Sequence, residues 1–110
     1  MVNERKLPDK IKLLNITYTV EYVDKPSDVD IFKRNSCWGQ IDFWTRSIRI
    51  YKGKLSVDDL WETLWHEILH GICEALHMKE FNDNKPENDQ KIDLISLGIY
   101  DVLRQNNWFE

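Results

Sequence analysis

The sequence lacks the features that mark several classes of protein. No run of about 18 consecutive apolar residues exists, so no membrane-spanning helix is predicted and no membrane partner is expected. The formal net charge is −4, which leaves no excess of basic residues for binding nucleic acid. The first ten residues lack the apolar core of a signal peptide. Only two cysteines occur, Cys37 and Cys73, which could pair but need not, so we expect reduced thiols and a cytoplasmic protein.

The length of 110 residues suits one domain, and an apolar fraction of 42% with five tryptophans can build a hydrophobic core. We therefore predict a single domain over residues 1–110, with a flexible segment at residues 1–10. Segment 24–35 is charged and contains a proline, so it is predicted to be a loop with a short helical turn near 29–32. Segment 79–87 is rich in Asn and Asp and is predicted to be a second loop.

The spacing of apolar residues predicts the strands and helices. Apolar and polar residues alternate over 11–23, which is the pattern of a half-buried strand. Strands over 38–43 and 47–51 are close enough in the chain to form a hairpin that turns near 44–46. One helix carries the motif described next, and a second covers 88–105. This order predicts an α+β domain, in which two long helices pack on one face of an antiparallel sheet of about three strands.

The most informative stretch is His66-Glu67-Ile68-Leu69-His70. Two histidines four residues apart on a helix project from one face, about 6 Å apart along the axis, so both imidazoles can reach one metal ion. A glutamate directly after the first histidine points near a water molecule held by that ion. This His-Glu-x-x-His pattern is the signature of zinc peptidases. It predicts His66 and His70 as Zn²⁺ ligands and Glu67 as the general base.

The residues around the motif favour an amphipathic helix over a polar surface segment. Ser56 is in position to cap the helix N-terminus, with Asp59 three residues later. Seven apolar residues follow helical spacing: Leu60, Leu64, Trp65, Ile68, Leu69, Ile72 and Leu76. His66 and His70 border this stripe, so we expect both rings to be partly buried and held rigidly.

A catalytic zinc ion usually has three protein ligands and one open position for water. His77 is the one other histidine, but it lies about 10 Å beyond His70 along a straight helix, which is too far for a shared ion. Cys73 lies three residues after His70, yet a buried cysteine more often packs as a small apolar side chain. Neither residue is therefore preferred as the third ligand.

The second predicted helix offers carboxylates instead. Asp89 begins a stripe of three- and four-residue steps that continues through Ile92 and Ser96. A carboxylate in a first helical turn is stabilised by the helix dipole without any metal. An ion held by two neutral histidines would nevertheless favour an anionic partner at this position. Asp89 therefore ranks first as third ligand, and Asp93 and Glu87 remain alternatives.

Three segments carry a resemblance to a known family: Ser-Ile-Arg-Ile-Tyr at 47–51, Leu-Trp-His-Glu-Ile-Leu-His-Gly-Ile at 64–72 and Ile-Asp-Leu-Ile-Ser-Leu-Gly-Ile-Tyr-Asp-Val-Leu at 92–103. The chain resembles the small zinc metallopeptidase-like proteins of phages and prophages, which are related to the ImmA/IrrE family. The resemblance runs from the 38–51 hairpin to Leu103. It implies a minimal zincin-like domain.

The resemblance also implies the composition of the site. Relatives follow the motif with a helix that carries Glu, then an apolar residue, then a small residue. Here those positions are Asp89, Ile92 and Ser96. The two motif histidines and Asp89 are thereby implied as ligands of Zn²⁺, and Glu67 as the base. Asp in place of the usual Glu gives the third ligand a shorter reach, whereas Ser in place of the usual Ala is equally small.

The function that the resemblance implies is hydrolysis of a peptide bond in a protein partner, such as a phage or mobile-element repressor in a bacterial host cell. We expect strand 47–51 to form a sheet edge beside the motif helix, where an extended peptide could add by backbone hydrogen bonds. Tyr51 and Tyr100 are candidates for stabilising the oxyanion, although burial in a core is the commoner role for either.

Two alternatives to this function remain. One is a non-catalytic, phage-encoded binding module with a structural or vestigial metal, and the other is a zinc hydrolase that acts on a non-peptide bond.

Overall fold

The computed structural model describes residues 6–29, 38–53, 55–83 and 85–108. Within these ranges the chain forms four strands, two long helices and two short 3₁₀ turns. They are β1 (Lys10–Leu13), β2 (Ile16–Val23), β3 (Gly39–Asp42), β4 (Ser47–Tyr51), α1 (Val57–Ala75), α2 (Pro86–Gln105) and the turns at Pro26–Asp28 and Lys79–Asn82. The predicted α+β class is confirmed. Neither long helix is both long and apolar enough to cross a bilayer.

The single strand predicted over 11–23 is wrong, because the chain reverses direction within it. Leu14 and Asn15 have positive φ angles of 48° and 72°, and they connect β1 to β2 as a two-residue hairpin turn. Such turns match the twist of paired strands and need positive φ at both central residues. Asn adopts these angles readily but Leu rarely does. A leucine at the first turn position therefore gave no indication of a turn in the sequence.

The sheet is mixed and has the order β1-β2-β4-β3. β1 and β2 are antiparallel, as are β3 and β4, whereas β2 and β4 are parallel. The prediction of about three antiparallel strands is therefore wrong in both number and direction. The hairpin predicted to turn near 44–46 is confirmed.

The prediction that strand 47–51 forms a sheet edge is also wrong. β4 lies between β2 and β3, and its residues Ile48 and Ile50 are fully buried. Alternation along one strand shows which face is buried, but it does not show whether the second edge is paired. Among the described strands, β3 is instead the edge that lies along the motif part of α1, since Gly39 approaches Thr63 and Glu67.

The predicted start of α1 is confirmed. The Ser56 hydroxyl accepts a hydrogen bond from the Asp59 backbone N–H at 3.1 Å, which is the geometry of an N-cap. Five members of the predicted apolar stripe pack in or against the core that includes the sheet: Leu60, Leu64, Trp65, Ile68 and Ile72. Leu69 is only partly buried and is not part of this cluster, and Leu76 lies beyond the last turn and is 54% exposed. His77 follows with a positive φ of 58°, typical of the residue after a helix end.

α2 begins at Pro86 rather than at 88, so the loop predicted over 79–87 is too long. Proline suits the first turn of a helix, because its missing N–H would have no partner there. Ile92 and Ser96 are 2% and 0% exposed, so the stripe predicted from Asp89 does face the interior.

The N-terminal segment is held to the sheet from Pro8 onward. The backbone oxygen of Pro8 accepts a hydrogen bond from the Tyr22 hydroxyl at 2.6 Å. The backbone oxygen of Asp9 accepts one from the Val20 N–H at 2.8 Å. Of the segment predicted to be flexible, residues 1–5 lie outside the described residues.

The loop predicted over 24–35 is described only in its first part. A 3₁₀ turn covers Pro26–Asp28, and Val29 directly after it is fully buried. Most of the helical turn predicted near 29–32 lies outside the described residues.

Alanine should have opposite effects at two helical glycines. A Cβ at Gly71 in α1 would lie 2.7 Å from Leu13 Cδ1 and 2.9 Å from Ile41 Cδ1. Overpacking at Gly71→Ala should cost about 1–3 kcal/mol, and the helix propensity of alanine should offset about 0.5–1 kcal/mol of this, so the free energy of unfolding should fall by up to about 2 kcal/mol. A Cβ at Gly98 in α2 would meet no described atom within 4 Å, so Gly98→Ala should raise this free energy by about 0.5–1 kcal/mol. Urea denaturation measures both, and stabilisation by Gly71→Ala would contradict the close packing of α1 on the sheet.

Candidate metal centre

Two histidines and one aspartate meet where α1 faces the start of α2. His66 Nε2 and His70 Nε2 are 3.2 Å apart, and Asp89 Oδ1 lies 3.0 Å from the first and 3.1 Å from the second. In a tetrahedral zinc site with bonds of about 2.0–2.1 Å, neighbouring ligand atoms are about 3.3 Å apart. The three atoms therefore have the spacing of ligands to a single ion. Within the described ranges, no other group of His, Cys, Asp and Glu converges in this way.

The far side of the His70 ring determines where its proton lies. The side-chain nitrogen of Asn82 donates to the His70 backbone oxygen at 3.1 Å. This contact turns the amide oxygen of Asn82 toward His70 Nδ1, at 2.6 Å. Because an amide oxygen can only accept, Nδ1 must donate, and Nε2 of the neutral ring directs its lone pair at the centre. Partners of this kind orient the histidines of metal sites and set their tautomer.

His66 has a comparable partner on its far side. Its Nδ1 lies 3.3 Å from Asp93 Oδ1, and a carboxylate at this distance favours a proton on Nδ1. Both rings then direct lone pairs toward each other and toward the Asp89 carboxylate. Three acceptors around one point repel unless a cation, either a proton or a metal ion, lies among them. The donor set of two imidazoles and a carboxylate fits a divalent metal such as zinc.

The structure separates the three acidic candidates for the third ligand. Of the three, only Asp89 belongs to the converging group. Its short side chain is long enough to reach the histidines, since Oδ1 lies within 3.1 Å of the Nε2 atoms of both rings. Asp93 contacts the opposite nitrogen of His66, so it orients a potential ligand. Glu87 is exposed in the first turn of α2 and is not part of the converging group.

The surroundings of Asp89 keep its side chain ionised. Partial burial alone would raise the pKa of Asp89. When a proton rather than a metal ion lies at the centre, the charge and the hydrogen bonds of His66 and His70 outweigh this effect and hold the pKa below its usual value. A carboxylate at this position supplies the negative charge that two neutral imidazoles lack, and a divalent cation favours that charge.

Glu67 lies beside the centre and is nearly buried, at 7% exposure. Burial raises the pKa of the Glu67 carboxyl above its usual value, although His66, His70 and a hydrogen bond from the Ile41 backbone lower it in part. A carboxyl in such an environment takes up a proton more readily than a surface glutamate, as a general base must. β3 can approach this carboxyl because residue 39 is glycine: a Cβ there would lie 3.0 Å from Glu67 Oε2.

A cleft of about 620 Å³ opens over this group of side chains. α1 forms one wall, β3 forms the second, and the segment that leads into α2 forms the third. Besides the converging residues and Glu67, the cleft is lined by Gly39, Gln40, Ile41, Phe43, Phe81, Asn82, Lys85 and Pro86. The centre is thus reached through a concave and partly apolar surface, as is common for binding sites.

Neither tyrosine predicted as a candidate oxyanion stabiliser lines this cleft. The Tyr100 hydroxyl donates to Asp58 Oδ1 near the start of α1. The Tyr100 ring stacks on Trp61, with ring centroids 6.4 Å apart. Tyr100 therefore holds the ends of the two helices together, several turns away from Asp89.

The other two candidate ligands lie apart from the centre. Cys73 is a free cysteine with 7% exposure, and burial raises the pKa of its thiol, which disfavours the thiolate that a metal would require. Its predicted packing in the core is confirmed. His77 is exposed beyond the end of α1. Cys37 lies outside the described residues.

Sequence reasoning did not find Asn82, Phe81 or Lys85. All three come from segment 79–87, where the Asn and Asp content indicates turns but no particular contact. Asn82 lies twelve positions after His70 in the chain, a separation with no periodic pattern that could reveal the contact. The one available signal is indirect: a metal-binding histidine needs an oxygen partner for its second nitrogen.

Asp89→Asn tests the third ligand. Asparagine keeps the shape but removes the charge, so the zinc dissociation constant should rise by at least the roughly 10–100-fold that loss of a residue orienting a ligand produces. Glu87→Gln removes one charge from the same helical turn without touching the centre, and it should leave zinc affinity unchanged. Competition with a chromophoric chelator measures both variants. Equal affinities of wild type and Asp89→Asn would assign the third ligand to another residue.

Comparisons of the chain with models of protein families, with curated proteins and with solved structures found no match.

Proposed function

We propose that the protein is a zinc-dependent metallopeptidase related to the ImmA/IrrE-like proteins of phages and prophages. The observation that carries the proposal is the convergence of His66 Nε2, His70 Nε2 and Asp89 Oδ1, none more than 3.2 Å from the next. The buried carboxyl of Glu67 lies beside this group. Two histidines, a carboxylate and an adjacent glutamate are the parts from which hydrolytic zinc sites are built.

Each residue of the centre has a distinct task in this proposal. When bound, a zinc ion would supply a Lewis acid that lowers the pKa of water toward neutrality and polarises the carbonyl under attack. Glu67 accepts a proton from the attacking water and delivers it to the nitrogen of the leaving amine. Asn82 and Asp93 hold the two imidazoles in the tautomer that leaves Nε2 as an acceptor.

β3 provides a docking edge for an extended peptide. The Tyr51 N–H donates to the Trp38 backbone oxygen at 2.8 Å. In an antiparallel ladder with this register, Gly39 and Ile41 direct their backbone groups away from β4. The Ile41 N–H donates to Glu67, so the peptide would pair with the backbone groups of Gly39 and with the Ile41 carbonyl, and it would pass directly beside the reactive carboxyl.

The geometry favours catalysis over a purely structural metal. A metal that only held the two helices together would have no need of a buried glutamate, whose desolvation costs stability. Glu67 nevertheless lies in the cleft beside the ligand group. Because strand addition requires an extended segment, we propose that the substrate is a flexible part of a protein, such as a phage or mobile-element repressor.

Metal removal and readdition test the proposal. Protein loaded with Zn²⁺ is incubated with an unfolded protein and with a candidate repressor, and new N-termini are identified by mass spectrometry. We expect cleavage that stops when a chelator removes the zinc and returns when zinc is added back. Cleavage that persists without metal would overturn the proposed mechanism. Stoichiometric zinc binding without cleavage of any substrate would instead favour a non-catalytic binding module.

A further inference from the structure

A second cavity adjoins the metal centre on the side away from Phe43. It has a volume of about 400 Å³ and shares Gly39, His66 and Glu67 with the larger cleft. Its other lining residues are Trp38, Asp59, Glu62, Thr63, Asp93 and Leu97. The two cavities therefore lie on either side of the reactive carboxyl, along the outer edge of β3.

The two cavities differ in chemistry. The larger cleft presents the aromatic rings of Phe43 and Phe81, together with the cationic Lys85. The smaller cavity, which we call the acidic cavity, presents the carboxyl groups of Asp59, Glu62 and Asp93 beside the indole of Trp38. The described walls of the acidic cavity contain no lysine or arginine.

The carboxyl groups of the acidic cavity are close enough to repel one another. Burial raises the pKa of Glu62, and the charges of Asp59, Asp58 and Asp93 raise it further, whereas the charge of Arg104, which lies outside the acidic cavity, lowers it in part. A cationic side chain placed among them would relieve this repulsion. An aromatic ring in the same wall adds a cation–π contribution, so the cavity suits Lys or Arg better than an acidic or apolar side chain.

The direction of β3 relates the two cavities to the direction of a substrate. β3 begins at Gly39, next to the acidic cavity, and ends at Asp42, next to Phe43 in the larger cleft. A peptide that adds antiparallel to β3 runs the opposite way. Its N-terminal part then lies in the aromatic cleft and its C-terminal part lies in the acidic cavity, with the bond near Glu67 between them.

On the basis of the peptidase function proposed above, we propose that the protein cuts extended peptides between an aromatic or large aliphatic residue and a following Lys or Arg. Glu62 is the principal specificity-determining residue, because it lines the acidic cavity together with Asp59 and Asp93 and, within the described residues, does not belong to the group that converges on the metal position. Asp59 contributes from the preceding turn of α1. The substrate class is thus a basic, flexible segment of a partner protein.

Peptides that differ at one position test this specificity. The peptides are acetyl-Ala-Ala-Phe-X-Ala-Ala-amide with Lys, Leu or Glu at X. Zinc-loaded wild type should cleave the Phe–Lys bond with a kcat/KM at least about tenfold higher than that for the Phe–Glu bond. Dissociation constants for the same peptides, measured by calorimetry on zinc-loaded Glu67→Gln, should show the same order without any turnover.

Charge reversal at the acidic cavity should invert the preference. Glu62→Lys should favour the peptide with Glu at X, and the milder Glu62→Gln should reduce the Lys-to-Glu ratio about threefold. Glu74→Lys makes the same charge reversal on α1, outside both cavities, and it should leave the ratio unchanged. Thermal unfolding shows whether each variant is folded. If Glu62→Lys does not fold, the peptide preference of Glu62→Gln decides the test.

The outcomes separate this inference from the proposed function. Cleavage by wild type without a preference for Lys, or a preference that survives both Glu62 substitutions, overturns the inference and leaves the peptidase in place. Tighter binding of the Lys peptide without any cleavage supports the acidic cavity and overturns the peptidase. Neither binding nor cleavage of any peptide overturns both.

Discussion

Glu67→Gln should abolish hydrolysis and leave the metal in place. Glutamine keeps the size of the side chain and can still accept the Ile41 N–H, but it cannot take up a proton from water. The value of kcat/KM should therefore fall by about 10²–10⁴-fold. The converging atoms of His66, His70 and Asp89 are unchanged, so elemental analysis should still find one zinc ion per chain.

Glu74→Gln provides the matched control for this experiment. It makes the same chemical change on the same helix, about 10 Å further along the axis, and residue 74 lines neither cavity. The control should retain both activity and zinc. Full activity of Glu67→Gln would remove Glu67 from the mechanism. Loss of zinc from Glu67→Gln would show that the carboxyl serves to hold the centre together.

His70→Ala should remove the metal itself. The substitution deletes one of three converging atoms and also leaves the oxygen of Asn82 without its donor. Zinc affinity should therefore fall by more than the roughly 10–100-fold typical of residues that only orient a ligand. Chelator competition measures the change, and peptide cleavage at a fixed zinc concentration should fall in parallel.

His77→Ala is the appropriate comparison, because it removes an imidazole of the same chain that lies exposed beyond the end of α1. Its zinc affinity and activity should equal those of wild type. If His70→Ala bound zinc as tightly as His77→Ala, the convergence of the two motif rings would have no role in metal binding.

The parts of the centre that could be predicted from sequence are those set by helical periodicity. His66, Glu67 and His70 lie within five consecutive positions, so a single helix fixes their relative directions. Asp89 was accessible through the same periodicity, because Ile92 and Ser96 show which face of α2 points inward. Periodicity does not give the distance between α1 and α2. This distance determines which of the two carboxylates, Asp89 or Asp93, can reach both ring nitrogens.

The sheet was less predictable because its decisive contacts are not local. The parallel pairing of β2 with β4 joins Val20 to Ile48, and neither strand carries a residue that marks its partner. The turn at Leu14 and Asn15 has a leucine where turn chemistry favours glycine or asparagine. The sheet edge beside α1 was consequently assigned to β4 instead of β3, although the hairpin itself was correct.

The potential ligands come from two helices, His66 and His70 from α1 and Asp89 from α2, and this division has a consequence for the cell. An ion bound at this point would cross-link the two helices and would stabilise only the folded chain. At a metal concentration 100 times the dissociation constant, such binding adds about 2.7 kcal/mol, a large share of the roughly 5–15 kcal/mol of a typical domain. The resistance of the protein to cellular proteases, and with it its abundance, would then rise and fall with the supply of available zinc.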